Sequence, residues 1–200
     1  MNIHGVLFLK KNGFPEEFRH FRKLSEVFDF LKEVGGEKNL FIMGSDDRIK
    51  ITDSPYNIKR FRRVHISSSD VEICLKELNT EMDVLRIPCE NRIFSVGYFF
   101  NQYNVEFTGH ALMDDENILI DIFVGLRGSG TDITPSFSFK IPIINNRPRL
   151  SVIDFWAYED YVLRICLDMC KIKRLHYGNP YVDFVSLKDK MFYYPDLSFH

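Results

Sequence analysis

The stretch from Ser151 to Tyr194 constrains the fold more than any other in this 200-residue chain, because it is punctuated at both ends and changes period in the middle. Ser151 with Asp154 resembles a capping box, and Phe155, Trp156, Val162, Leu163, Cys166, Met169 and Cys170 recur at the spacing of one helix face. Lys171, Lys173, Arg174 and His176 crowd the end of that run, where cations suit the negative end of the helix dipole, and Gly178 with Pro180 stops it. The pattern predicts a helix from Ser151 to Tyr177. Tyr181 to Val185 is then β-prone, Lys188-Asp189 turns, and Met191 to Tyr194 runs back, which predicts a hairpin under the helix. Asp183 is the odd residue in its strand, and alternation puts it on the face opposite Val182 and Phe184.

The preceding chain reads as strands separated by turns, with two short helices. Met1 to Lys11 alternates around Ile3, Val6 and Phe8 and is predicted as a strand, closed by Asn12-Gly13 and Pro15. Ser25 caps a predicted helix from Glu26 to Val34, stopped by Gly35-Gly36. Asn39 to Met43 is an apolar strand, Gly44-Ser45-Asp46-Asp47 a turn, and a second strand is expected around Ile49 and Ile51. Arg60 to Ile66 is a third, and Ser69 with Glu72 forms a capping box for a helix through Leu78. Five β-prone runs follow: Val84 to Pro88, Ile93 to Phe100, Val105 to Leu112, Ile118 to Val124 and Phe137 to Ile144. Turns at Cys89-Glu90-Asn91-Arg92 and Asp114-Asp115-Glu116-Asn117 make sequential hairpins in a mostly antiparallel sheet the natural outcome. The near-continuous apolar run around Ile120 implies burial on both faces, so Asp121 within it requires a partner. Asn145-Asn146-Arg147-Pro148 links to the final helix. The expected fold is α+β, in an N-terminal lobe 1–80 and a C-terminal lobe 81–200 or in one compact domain.

A 45% hydrophobic composition is enough for a substantial core, while a net charge of −2 gives no overall attraction to nucleic acid or an acidic membrane. No apolar run is long enough to span a bilayer and the N-terminus does not read as a signal peptide, so a cytoplasmic protein is expected. Four cysteines without Cys-x-x-Cys spacing read as reduced core thiols rather than as a metal or disulfide framework. Lys59, Arg60, Arg62 and Arg63 form the strongest basic run, either a phosphate-binding cluster or a solvated edge strand protected by charge. Gly125 to Thr131 is a glycine-rich loop, either a plain connection or a place where backbone amides approach phosphate.

Read together, several segments resemble the nucleotide-binding domain of the phosphoenolpyruvate synthase and pyruvate phosphate dikinase family, a two-lobed ATP-grasp fold. They are Thr108-Gly109-His110, Ile120-Asp121-Ile122, Gly125-Leu126-Arg127-Gly128 and Ile133-Thr134-Pro135-Ser136. The Tyr177-Gly178-Asn179-Pro180 turn and the strands holding Asp183 and Met191 to Tyr194 continue the resemblance, and Phe41 to Ser45 stands for Val-Arg-Ser-Ser. The resemblance implies ATP with magnesium as ligands, without fixing whether either is bound. It implies a metal contact from Asp183, for which Asp121 is the candidate oxygen partner across one cavity, while the glycine-rich loop and the basic run offer Arg127, Gly128, Ser129, Lys59 and Arg62 as candidate nucleotide contacts.

Departures accompany the matches. The family's metal-binding Glu falls on Asp183, but its metal-binding Gln falls on Pro195, its following Arg on Leu197, its Val-Arg-Ser-Ser Arg on Met43 and its Gly-Leu-Gly-Glu Glu on Gly128. Its Gly-Gly-Lys segment has no counterpart beyond Lys10 or Lys11. Phosphoryl transfer relies on positioning, metal and cations, which are the parts replaced here. Three expectations stand: a degenerate ATP-grasp-like binding or assembly module, a pseudoenzyme working with a protein partner or a second copy; a diverged ATP- and magnesium-dependent phosphotransferase or ligase; and an α+β interaction protein unrelated to this fold.

Overall fold

The computed structural model describes residues 2–15, 18–34, 40–52, 61–66, 70–98, 105–125, 134–145, 147–150, 158–188 and 192–200. The chain opens with helix α1 (Ile3–Lys11), not with the expected strand. Ile3, Val6 and Leu9 are buried, and their three-residue spacing keeps to one helix face where strand alternation would scatter them. The Asn2 side chain caps the helix by accepting from the Gly5 amide at 3.2 Å. Strand β1 (Phe18–Phe21) and helix α2 (Leu24–Val34) follow, the helix starting one residue before Ser25, and the Glu26 carboxylate instead accepts from the Arg22 and Lys23 amides.

Strand β2 (Leu40–Asp46) runs through the expected turn at Gly44, and Ile49 and Ile51 form no strand. Asp46 explains the change: its carboxylate accepts from the amide and guanidinium of Arg48, turning the chain immediately after β2. Strand β3 (Phe61–Ile66) is next, then helix α3 (Val71–Val84), whose N-cap is Asp70 rather than Ser69. Leu75, Leu78 and Met82 sustain its period past Leu78, so Val84 to Pro88 is not the expected strand but a helix end leading to a 3₁₀ turn at Cys89–Asn91. Strand β4 (Arg92–Tyr98) completes an antiparallel sheet of order β1-β4-β2-β3. The buried Arg92 guanidinium is satisfied by Ile87 O, Asn79 Oδ1 and Asp83, which ties β4 to α3.

The second sheet is built from β5 (Val105–Met113), β6 (Asn117–Val124), β7 (Phe137–Ile144), β8 (Arg147–Pro148), β9 (Pro180–Leu187) and β10 (Phe192–Phe199), in the order β10-β9-β5-β6-β7-β8. The expected linker at Arg147–Pro148 pairs back on Ile143 and Ile144. Helix α4 (Glu159–Leu175) covers one face, its Val162, Ile165, Cys166 and Met169 packing with Ile120, Ile122, Val182 and Phe184. Burying each such side chain contributes roughly 1.5–3 kcal/mol. The predicted packing of helix on sheet and hairpin is therefore present, while Ser151, Asp154, Phe155 and Trp156 lie outside the described residues. Strand β6 is closed along the α4 face by Ile118, Ile120 and Ile122, while its other face is closed only in part, with Phe123 buried against the His110 ring and Leu119 40% exposed. Helices α2 and α3 cover the first sheet through Val27, Phe30, Leu75 and Leu78. A third cluster joins the two sheets, with Phe18, Met43 and Ile93 from one meeting Val105, Val185 and Tyr193 from the other around Ile3 and Val6 of α1. Strands β1 to β4 thus sort to the first sheet and β5 to β10 to the second, with α1 seated on β10.

Two outcomes check this packing. A Cβ at Gly109 would lie 2.1 Å from Asp121 O and 2.4 Å from the Phe184 ring, so Gly109→Ala is expected to lower stability by about 1–3 kcal/mol in urea unfolding; an unchanged midpoint would contradict the β5–β6–β9 packing. Of the four thiols, Cys166 and Cys170 are buried and Cys89, against expectation, is exposed. Burial pushes the Cys166 thiol up to about 12, so Ellman's reagent at pH 8 should modify Cys89 fastest and reach Cys166 only on unfolding.

Candidate functional site

The face of the second sheet turned away from α4 carries a row of polar side chains. Asp196 on β10 is directly opposite Asp183 on β9, Asp183 opposite His110 on β5, His110 opposite Asp121 on β6, and Asp121 opposite Ser138 on β7. Residues directly opposite in an antiparallel sheet share a face, so all five belong to one row. The neighbours Val182, Phe184, Ala111, Ile120 and Ile122 belong to the core under α4. Val185 and Tyr193, next along β9 and β10 on the row's own face, belong to the cluster shared with the first sheet. The row therefore begins where the two sheets meet.

At the β9–β10 end, Asp183 and Asp196 are each 4% exposed. Tyr181 Oη donates to Asp183 Oδ1 at 3.3 Å, and the Asn2 amide donates to Asp196 Oδ1 at 2.7 Å. Ser198, paired with Tyr181, holds a buried hydroxyl with no hydrogen-bond partner among the described residues. Like charges directly opposite on neighbouring strands are unfavourable, and a shared cation removes that cost. Two carboxylates and a hydroxyl are hard oxygen donors of the kind magnesium takes, since it is commonly held by one or two carboxylates with phosphate oxygens and water completing the shell. Among the described residues no three His, Cys, Asp or Glu gather as a self-sufficient metal site, so any ion here would depend on its ligand for the rest.

At the other end, His110 Nε2 lies 2.9 Å from Asp121 Oδ2, and Ser138 Oγ donates to Asp121 Oδ1 at 2.5 Å. An ionised carboxylate only accepts, so a neutral His110 carries its proton on Nε2. Its Nδ1 is then an acceptor, buried without a partner among the described residues, and the ring stacks on Tyr181 at 5.8 Å.

The sequence-derived site residues fall unequally on this geometry. Asp183 lies opposite the α4 core as alternation requires, and Asp121 shares its face. The two stand two strands apart, about 9.6 Å at the backbone from a strand spacing of about 4.8 Å, with His110 between them. Asp196, not Asp121, is the carboxylate opposite Asp183, and Asp121 is turned to His110 and Ser138. Arg62 occupies the register position opposite Met43 on β3, which is an edge strand. Lys59, Arg127, Gly128, Ser129 and the Arg62 side chain lie outside the described residues. Sequence reasoning missed Asp196, Ser198, His110 and Asn2. The available signal was Pro195, since proline within a strand marks an edge or a bulge that displaces the next residue.

Two antiparallel sheets, helices on their outer faces and a polar row where they meet define an ATP-grasp fold. No family model matches the sequence, and no curated protein matches it. Solved structures do match. The L-amino acid ligase from Bacillus licheniformis aligns with a TM-score of 0.55 at 14% identity, over 100% of this chain and 42% of that one. D-alanyl-alanine synthetase A from Vibrio cholerae aligns at 0.50 with 9% identity, over 99% and 54%. The VanG D-Ala:D-Ser ligase from Enterococcus faecalis aligns at 0.50 with 15% identity, over 99% and 51%. The chain spans about half the length of these ligases, and the likeness is one of fold. It sets aside an α+β protein unrelated to ATP-grasp, and it does not reach the phosphoenolpyruvate synthase family in particular.

The arrangement of His110 has a direct readout. Long-range ¹H–¹⁵N spectra of the neutral ring should show the Nε2–H tautomer, and Asp121→Asn should remove that preference; an Nδ1–H ring would contradict the pairing.

Proposed function

We propose that this chain is a magnesium–nucleotide-binding module of the ATP-grasp fold that does not transfer phosphate by itself. The observation that carries the reading is the direct pairing of the buried Asp183 and Asp196 beside the unpartnered Ser198 hydroxyl. Asp183, Asp196 and Ser198 would hold the metal, which when bound neutralises phosphate charge. Lys59, Arg62 and the loop bearing Arg127, Gly128 and Ser129 are the proposed phosphate contacts, with Asp121 an outlying acceptor in the same row. Met43 argues against autonomous chemistry. It stands where the resembled phosphoenolpyruvate synthase family has an arginine, and it is 2% exposed in the apolar cluster between the sheets. The proposed site keeps its anionic half and lacks that cation, which a protein partner or a second copy would supply in an assembly, in the cytoplasm. A second reading, an ATP-dependent phosphotransferase or ligase, is favoured by the same carboxylate pair.

Calorimetry with ATP and magnesium should give saturable, magnesium-dependent binding, weakened roughly tenfold or more, about 1.4 kcal/mol, by Asp183→Asn or Asp196→Asn. Phosphate release should be absent. No binding by the unmodified chain at millimolar nucleotide would sink the proposal, whereas magnesium-dependent phosphate release abolished by Asp183→Asn would establish the second reading.

A further inference from the structure

We infer that Asn2, at the N-cap of α1, is a positioning residue for the Asp196 carboxylate, so that seating of α1 on β10 and loading of the metal site are coupled. This rests on the reading of Asp183 and Asp196 as metal ligands.

Asn2 is wholly buried and ties three segments together. Its amide donates to Asp196 Oδ1 at 2.7 Å, its Nδ2 donates to Lys50 O at 2.7 Å, and its Oδ1 accepts from the Gly5 amide at 3.2 Å. The contact with β10 is close. A Cβ on Gly5 would fall 1.9 Å from Leu197 O, which places the first turn of α1 on the backbone between Asp196 and Ser198. The chain beyond β2 supports the same strand, with the Phe199 amide donating to Ile51 O at 2.8 Å. Ile3 and Val6 then enter the cluster that joins the sheets.

A carboxylate capping a helix N-terminus is an ordinary structural device, and it accounts for the Asn2–Asp196 contact alone. It does not account for a second buried carboxylate directly opposite. A structural cap gains nothing from Asp183 as its neighbour, whereas a metal ligand does. Fixing one oxygen of Asp196 with an immobile N–H sets the carboxylate plane before any ion arrives, as partners of ligating groups commonly do. The Asn2 side chain holds that N–H in place chiefly by capping the helix start through the Gly5 amide, with its Nδ2 bond to Lys50 O as a secondary tie.

The test uses the full chain with Mn²⁺–ATP, read by the loss of the free Mn²⁺ electron paramagnetic signal. Asn2→Ala is expected to weaken binding about 10- to 100-fold. Asn2→Ser, which can still cap, should stay within about threefold of the unmodified chain. In an Asp196→Asn background Asn2→Ala should have no further effect, because the residue acts through Asp196. Coupling is reciprocal, so saturation with Mg²⁺–ATP should slow exchange of the Asn2 amide by a similar factor in the unmodified chain, a measurement that needs no variant to fold. Unchanged Asn2 exchange on saturation, full binding by Asn2→Ala, or an equal Asn2→Ala loss with and without the Asp196 carboxylate would overturn the inference and leave the metal site standing. Failure of the unmodified chain to bind Mn²⁺–ATP would overturn both.

Discussion

Strand β9 is hydrogen-bonded on both sides, to β5 and to β10, so each of its side chains is committed to one of two faces. Val182 and Phe184 take the face under α4, and that choice leaves Asp183 no freedom. The apolar demand of the helix thus orients the carboxylate. It does the same one strand over on each side, where Ala111 on β5 and Leu197 on β10 enter the α4 core and leave His110 and Asp196 on the other face. The polar row is in this sense a by-product of packing, and its chemistry is decided by which residues occupy positions the core does not need.

What faces the row is governed by the cluster between the sheets. Met43 and Ile93 meet Val185 and Tyr193 there, with Ile3 and Val6 of α1 filling the space. These contacts set the approach of the first sheet to the row, and an apolar contact at that point excludes water from its β9–β10 end. Dry surroundings strengthen any interaction between a bound cation and the carboxylates, and they raise the cost of leaving those carboxylates without one. Helix α1 belongs to both functions, since its apolar side fills the cluster and its first amide holds Asp196.

Much of the second sheet was legible because its β-prone runs are dense and its turns are marked. Asp114 to Asn117 closes the β5–β6 hairpin as expected, with the Asp114 carboxylate accepting the Glu116 and Asn117 amides. The α4 period was readable as well. The opening helix was not, because nine residues with Ile3, Val6 and Phe8 fit a frayed strand until the partner surface is known, and Leu9 only declares itself against β10 and α4. Val84 and Ile87 carry β propensity, yet the buried Leu78 and Met82 carry the helix through Val84, so local preference lost to packing. In the site, alternation placed Asp183 opposite Val182 and Phe184, whereas the apolar run around Asp121 gave no face and left it only a candidate partner. Which carboxylate stands opposite which is a matter of register between distant strands, and no local pattern encodes that.

Register also decides which residue of β10 meets Asp183. Tyr193 is opposite Val185, and carried on unbroken that register would bring Pro195 opposite Asp183 and Asp196 opposite Val182. Asp196 would then point among Val162, Ile165 and Phe184, an ionised group in an apolar core whose burial costs several kcal/mol. The bulge between Tyr193 and Asp196 inserts one residue and turns Asp196 to the face of Asp183. Pro195 suits that place, because β10 is an edge strand and a bulged residue needs no ladder hydrogen bond. Counting residues along an unbroken strand brings the proline opposite Asp183, whereas the bulge brings Asp196 there. The same insertion leaves Leu197 facing the α4 core, with its carbonyl against Gly5 of α1, so a single extra residue in β10 fixes both the carboxylate pair and the seat of the helix that holds it.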